Sequence, residues 1–178
     1  MLVSNDGELI NRARFLSTQA KDNAPWYEHS EIGYNYRMSN ILAGVGRGQL
    51  RVLRERVEAR RRIFENYQRI LANNKALEWM PEPDWSYSNR WLSTLTLNPD
   101  FTDYNAQALI SQLSQELIEA RHLWKPMHTQ PLFSDTAFFP HDPDVDSSVC
   151  DRLFERGLCL PSGSAMNNDC LLYTSDAA

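Results

Sequence analysis

A chain of 178 residues with 42% apolar and 23% charged residues has the composition of a globular protein, one ordinary domain or part of a larger one. No apolar run approaches the ~20 residues a membrane helix needs and no signal peptide opens the chain, so the expected location is cytoplasmic. A net charge of −5 makes the whole chain a poor electrostatic match for nucleic acid.

In chain order, Met1 to Val3 reads as a short strand running into a turn at Asn5–Gly7. Asp6 or Asn5 can then cap a helix with Leu9, Ile10, Ala13 and Leu16 on one face. A polar loop from Gln19 to Ser30 leads to a long helix over Ile41–Leu71, with Leu50, Leu53, Val57, Phe64, Tyr67 and Leu71 facing inward. Strands are predicted over Leu77–Met80, Trp91–Leu97 and Arg121–Trp124. Between the last two, Thr102 or Asp103 caps an amphipathic helix with Ala106, Leu109, Ile110, Leu113 and Leu117 inside. Asp146 caps a further helix (Val149, Leu153, Phe154), which stops at Gly157, the residue type favoured just past a helix end. Leu158–Cys159–Leu160 reads as a buried strand closed by Pro161. Helices alternating with short strands give an α/β or α+β fold, in which the opening strand has no sheet of its own to join.

Few residues point to chemistry by spacing alone. Arg47, Arg51, Arg54, Arg56, Arg60, Arg61 and Arg62 crowd the long helix, but Glu55, Glu58 and Glu65 lie among them at ion-pairing distance along the chain. That pattern describes a solvated or subunit-facing helix better than a nucleic-acid-binding one. Ala43, Gly44, Gly46 and Gly48 at its head cost helix stability at about 1 kcal/mol per glycine, and close approach of another backbone is the simplest reason for them. Asp142, Asp144 and Asp146 alternate like a calcium loop, yet Ser147 stands where glycine is needed and Leu153 where the closing glutamate should be. Cys150, Cys159 and Cys170 lack metal-ligand spacing and read as buried, inert thiols, so no metal site is expected. His29 and His128 sit in polar, proline-bordered loops where a role is plausible; His122 and His141 have no such context.

Three stretches carry more. Glu28-His29-Ser30-Glu31-Ile32-Gly33-Tyr34-Asn35-Tyr36-Arg37-Met38-Ser39-Asn40, running on into Ala43–Leu50, resembles the central signature of the DegT/DnrJ/EryC/StrS sugar aminotransferases. Arg121-His122-Leu123-Trp124-Lys125-Pro126-Met127-His128-Thr129-Gln130-Pro131 resembles the family's substrate-loop motif, and Phe154-Glu155-Arg156-Gly157-Leu158-Cys159-Leu160-Pro161-Ser162-Gly163-Ser164 its closing motif. The resemblance is strongest to members that aminate nucleotide-linked keto-sugars for polysaccharide and glycan synthesis. It implies the C-terminal part of the aspartate-aminotransferase fold. Residues 1–39 would end the large domain, 40–169 would supply the linking helix and an α+β small domain, and 170–178 would be a non-native tail.

The same resemblance implies pyridoxal 5'-phosphate as cofactor, an amino-acid donor (glutamate), and a homodimer with shared active sites and no membrane or nucleic-acid partner. Asn35 would bind the cofactor phosphate of the neighbouring subunit, Arg37 would hold substrate or phosphate charge, and Lys125, His128 and His29 would line the sugar-nucleotide pocket. The family's Schiff-base lysine lies upstream of the segment matching Met1–Val3, and Lys21, Lys75 and Lys125 do not stand in its place. No catalytic residue is therefore expected here, and the chain alone should not transaminate. A sugar dehydratase of the same fold, or a non-catalytic dimerisation module, are the alternatives, the first separated by that one upstream residue.

Overall fold

In this computed structural model, which describes residues 2–140 and 148–176, helix α1 (Gly7–Ser17) begins at Asp6. The Asp6 carboxylate accepts from the backbone N–H groups of Glu8 and Leu9 at 3.0 and 3.1 Å, satisfying donors that have no partner inside the helix. Residues 2–6 form no strand, contrary to the sequence reading. Extended backbone needs a neighbouring ladder, and among the described residues none pairs with them. Helix α2 follows over Asn40–Ile70, and the chain divides inside it into two compact units, one ending at Val52 and one beginning at Leu53.

In the first unit, the loop between α1 and α2 folds back on the end of α1. Thr18 and Asn35 form an antiparallel bridge, and Gln19 N–H donates to Tyr34 O at 2.9 Å while Tyr34 N–H donates to Leu16 O at 2.7 Å. Gln19 and Ala20 take left-handed backbone angles (φ 69° and 49°), which brings their backbone against Gly33. A Cβ at Gly33 would sit 2.6 Å from Gln19 O and closer still to Ala20 N, so only glycine fits. At the head of α2, Ser39 Oγ accepts from Leu42 N–H at 3.3 Å. Gly44, Gly46 and Gly48 follow with open space around them: a Cβ at any of the three meets nothing within 4 Å. Among the described residues no backbone makes the close approach expected from the sequence.

In the second unit a four-stranded antiparallel sheet is ordered β1 (Leu77–Trp79), β2 (Ser93–Leu97), β4 (Gly157–Leu160), β3 (Arg121–His122). The register Leu77↔Leu97, Trp79↔Leu95 and Leu95↔Leu158 places these leucines, Trp79 and Leu160 on one face, because strand side chains alternate. That face meets Ile63 and Tyr67 of α2, Ala106, Leu109 and Leu113 of α3 (Ala106–Gln115), and Leu171 of α5 (Asn168–Asp176) in one core. Trp79 adds an edge-on contact to Phe64 at 5.6 Å. Helix α4 (Val149–Arg156) packs on β2 and β4, its Leu153 and Phe154 sharing a pocket with Glu78, Thr94 and Thr96.

Several sequence expectations shift by a turn. Only the last turns of α2 are buried: Leu50 and Leu53 remain 68% and 53% exposed, and Ile63 joins Phe64 and Tyr67 inside instead. Asn105, not Thr102 or Asp103, caps α3, its side chain accepting from Ala108 N–H at 2.8 Å. Leu117 lies past the end of α3 in a left-handed conformation (φ 61°) and is 94% exposed, so Ile118 enters the core in its place. Ser148 caps α4 through a reciprocal box with Asp151; Asp142, Asp144, Asp146 and His141 lie outside the described residues. Helix α4 does end at Gly157, but that residue is extended (φ −97°, ψ 143°) and opens β4 directly. Of residues 170–178, read in the sequence as a non-native tail, 170–176 belong to helix α5, and Leu171 is 2% exposed.

Candidate functional site

Three of the residues singled out in the sequence lie in the first unit. Asn35 sits in the bridge to Thr18, so its backbone is fixed while its side chain is exposed. Its amide makes no hydrogen bond among the described residues. It does not cap α2, since Ser39 fills that role. Arg37 is likewise exposed, two residues on, so both residues offer N–H donors to solvent. His29 Nδ1 lies 2.9 Å from Gln19 O; a carbonyl can only accept, so Nδ1 carries a proton and donates it there. Arg12 and Glu31 form a two-point ion pair that ties α1 to the loop, and this partner holds the Glu31 carboxyl below its ordinary range. Tyr34 and Tyr36 stack at 5.1 Å on either side of Asn35 in sequence. An amide and a guanidinium held open on a pinned loop are suited to anionic oxygens, phosphate above all.

The other two, Lys125 and His128, lie in the second unit, after β3. Lys125 is exposed and forms no ion pair among the described residues. His128 is partly covered, stacked on Phe138 at 3.8 Å, with Nε2 2.8 Å from Asp151 Oδ1. The Asp151 carboxyl is held below its ordinary range, first by the Ser148 hydroxyl, then by the Ser148 N–H and His128. Two of the three cysteines, Cys150 and Cys170, are exposed rather than buried as expected; Cys159 is buried, and burial pushes its thiol up. Cys150 stands in the first turn of α4, one turn before Leu153 and Phe154 on the same face, and it lines their pocket.

Beside this loop runs a pocket of about 520 Å³ lined by Trp79, Arg90, Trp91, Trp124, Leu153 and Phe154 among others. Trp91 and Trp124 stack at 5.8 Å, but neither Lys125 nor His128 lines the pocket. At its edge lies a network that sequence reasoning missed. Glu82 receives Arg61 at two points (2.8 and 3.0 Å), Arg90 at 3.3 Å and the backbone N–H of Ser88 at 2.5 Å. Arg90 also donates to Met80 O and lies over the Phe64 ring at 3.9 Å. With Arg61 its main partner, the Glu82 carboxyl is pulled down to about 2. Arg90 is 7% exposed, and its charge is tolerable there because each face of the guanidinium meets a carboxylate, a carbonyl or a ring. No sequence signal marked it: the three charges come from α2 and from the loop between β1 and β2.

Comparison with known proteins places this fold. Residues 1–175 match the model of the DegT/DnrJ/EryC1/StrS aminotransferase family. The chain is 54% identical over 169 residues to EpsN of Bacillus subtilis (strain 168), a protein named for an inferred pyridoxal phosphate-dependent aminotransferase activity; the match covers 95% of this chain and 42% of EpsN. It is 28% identical to GDP-perosamine synthase of Escherichia coli O157:H7, over 99% of this chain and 45% of that one. Among solved structures it resembles Helicobacter pylori PseC, an aminotransferase involved in the biosynthesis of pseudoaminic acid. That match has a TM-score of 0.79 and 18% identity, over 98% of this chain and 46% of PseC. The chain thus spans a little under half the length of these relatives. With an antiparallel sheet, flanking helices and a family match over residues 1–175, this chain belongs to the DegT/DnrJ/EryC1/StrS aminotransferase family.

Proposed function

We propose that the whole protein transfers an amino group from an amino acid, glutamate, to a nucleotide-linked keto-sugar in polysaccharide or glycan synthesis. It would use pyridoxal 5'-phosphate and work as a cytoplasmic homodimer with shared active sites. The observation that carries this reading is the family match across residues 1–175, together with 54% identity to a relative named for the same chemistry. GDP-perosamine synthases and a UDP-amino-sugar transaminase among the relatives support a nucleotide-linked sugar as the acceptor. No helix among the described residues is long and apolar enough to cross a membrane.

The residues present suit the cofactor at one end. Pyridoxal phosphate supplies an electron sink when bound, and its phosphate needs fixed N–H donors. Asn35 offers an amide with no hydrogen-bond partner among the described residues, on a backbone that the Thr18 bridge and Gly33 hold in place. In this reading Asn35 donates to the phosphate of the neighbouring subunit. Arg37 balances phosphate or substrate charge, and Lys125, His128 and His29 contact the sugar nucleotide. The lysine that would bond the cofactor is none of Lys21, Lys75 and Lys125. The Lys21 and Lys75 ammonium groups lie over the rings of Tyr27 and Phe101, and in this reading the 178 residues alone would not transaminate.

Asn35→Ala in the full-length parent enzyme tests the assignment. Loss of a charge-assisted hydrogen bond should cost about 1.5–3 kcal/mol of cofactor binding, roughly ten- to a hundredfold or somewhat more in dissociation constant. Titration of pyridoxal phosphate into the mutant apoenzyme reads it directly. Wild-type affinity in a folded mutant removes Asn35 from the site.

A further inference from the structure

We propose that His128, Cys150 and Asp151 form a binding site for a borderline-soft divalent cation, zinc foremost. His128 Nε2, Cys150 Sγ and a carboxylate oxygen of Asp151 all lie within 4.8 Å of one another. They supply one nitrogen, one sulfur and one oxygen, a mixed set that zinc accepts with tetrahedral geometry and a fourth position left to water. A zinc ion bound at about 2.0–2.3 Å from each donor spaces the donors by roughly 3.3–3.7 Å. The separations here bracket that spacing, from 2.8 Å for His128 Nε2 to Asp151 Oδ1 up to the 4.8 Å limit of the group. Small side-chain rotations close the difference.

The two carboxylate oxygens of Asp151 are already divided between two tasks. Oδ2 closes the cap of α4, accepting from Ser148 N–H at 3.1 Å and from Ser148 Oγ at 2.7 Å. Oδ1 is shielded from solvent, forms no hydrogen bond of good geometry among the described residues, and lies 2.8 Å from the His128 ring nitrogen. The cap therefore fixes the carboxylate rotamer and leaves one oxygen aimed at the cluster, which is the service an outer-shell group gives a metal ligand. Stacking on Phe138 holds the His128 ring in plane, and Cys150 is exposed, so an ion can enter from solvent. Binding replaces the Cys150 S–H bond with a sulfur–metal bond and releases one proton to water. The plainer alternative is that His128 and Asp151 form an ion pair and Cys150 is present only as the chain neighbour of Asp151. Cation binding separates the two.

Cobalt(II) is the probe, titrated into the full 178-residue chain, with zinc as competitor. The expected result is saturation at one ion per chain, with intense tetrahedral visible bands and a near-ultraviolet sulfur-to-cobalt charge-transfer band, all abolished by zinc. Cys150→Ser should remove the charge-transfer band, and His128→Gln and Asp151→Asn should each weaken binding about tenfold or more. Cys170→Ser, at the other exposed thiol, should change nothing. Circular dichroism establishes that each variant is folded, and His128→Gln, which leaves the α4 cap intact, keeps the test decisive if Asp151→Asn unfolds. Absence of the charge-transfer band overturns the proposal, as does its survival in Cys150→Ser, its loss in Cys170→Ser, or unchanged affinity in His128→Gln. The readout involves no sugar, cofactor or turnover, so it stands or falls independently of the aminotransferase reading.

Discussion

Gly157→Ala tests the junction on which the small sheet depends. The residue ends α4 and opens β4 with φ −97° and ψ 143°, backbone angles that any residue adopts, so alanine brings no conformational strain. Its Cβ would nonetheless lie 2.6 Å from Leu123 Cγ and closer still to Leu123 Cδ1 and the backbone oxygen of Leu153. Leu123 can rotate; the Leu153 carbonyl belongs to α4 and moves only if the helix moves. Overpacking of this kind costs about 1–3 kcal/mol. The lower entropy of the unfolded alanine chain returns roughly 0.4–1 kcal/mol. Because one of the blocking atoms is backbone, the net loss should be about 2 kcal/mol, a fall of roughly 4–8 °C in melting temperature for a chain of this size. Thermal unfolding followed by circular dichroism measures it. Leu123→Ala combined with Gly157→Ala should recover part of the loss, a coupling of about 0.5 kcal/mol or more. Gly157→Asn should be worse than alanine, whereas a left-handed helix stop would favour asparagine. An unchanged or raised melting temperature in Gly157→Ala, or asparagine tolerated better than alanine, refutes the close-approach account.

Tyr67→Phe removes the donor to Pro161 O at 3.0 Å and should cost about 1 kcal/mol in urea unfolding; the same burial pushes the Tyr67 hydroxyl up to about 12, so ultraviolet titration of the mutant should lose the latest-titrating tyrosine. The Glu82 carboxyl falls from 4.5 to about 2 on folding, so the stability it contributes is fully present above about pH 4.5 and is lost as pH falls towards 2. Unfolding midpoints of Glu82→Gln across that window should fall less steeply than wild type, and parallel curves would show that the Arg61 and Arg90 pairing does not matter. Gly46→Leu should leave the 178-residue chain as stable or up to about 1 kcal/mol more so, since nothing stands within 4 Å and leucine favours helix. In the full-length parent the same change should weaken dimerisation by roughly 1–3 kcal/mol by overpacking, and an unchanged dimer in sedimentation at low concentration would count against a subunit contact there.

The sheet was legible because alternation and helical periodicity report burial directly. Leu95 and Leu97 sit two apart on β2 and Leu158 and Leu160 two apart on β4, so one face of each strand had to be apolar; the pairing of Leu95 with Leu158 and of Ser93 with Leu160 comes from the structure. Helix ends were less legible. Thr102, Asp103 and Asn105 are all competent caps within one turn, and only the core's demand for Ala106, Leu109 and Leu113 selects Asn105. Leu117 fitted the helical stripe, but the chain had already turned out through a left-handed residue, and a stripe does not reveal where its helix stops. The head of α2 shows the opposite limit. Leu50 and Leu53 continue the apolar spacing of Phe64 and Tyr67 and yet remain exposed, because periodicity states which face can be buried and not what covers it.

The candidate site residues were singled out only through motif resemblance, and the reason is physical. Asn35, Arg37 and Lys125 are exposed polar groups, and neither burial nor periodicity constrains an exposed polar group, so no spacing rule distinguishes them from ordinary surface. What does leave a local trace is the scaffold around Asn35: glycine at position 33 lets the backbone of Gln19 and Ala20 pass so close, next to the bridge between Thr18 and Asn35. Glu82 with Arg61 and Arg90, and His128 with Cys150 and Asp151, leave no such trace, since each cluster joins residues some twenty or more positions apart and closes only in the folded chain. A buried stripe is encoded by neighbours in sequence, whereas a cluster of charges or ligands is encoded by the whole topology. The strained or sterically forced glycine beside a polar loop is therefore the most informative sequence sign of a site in this chain, more so than any of its histidines.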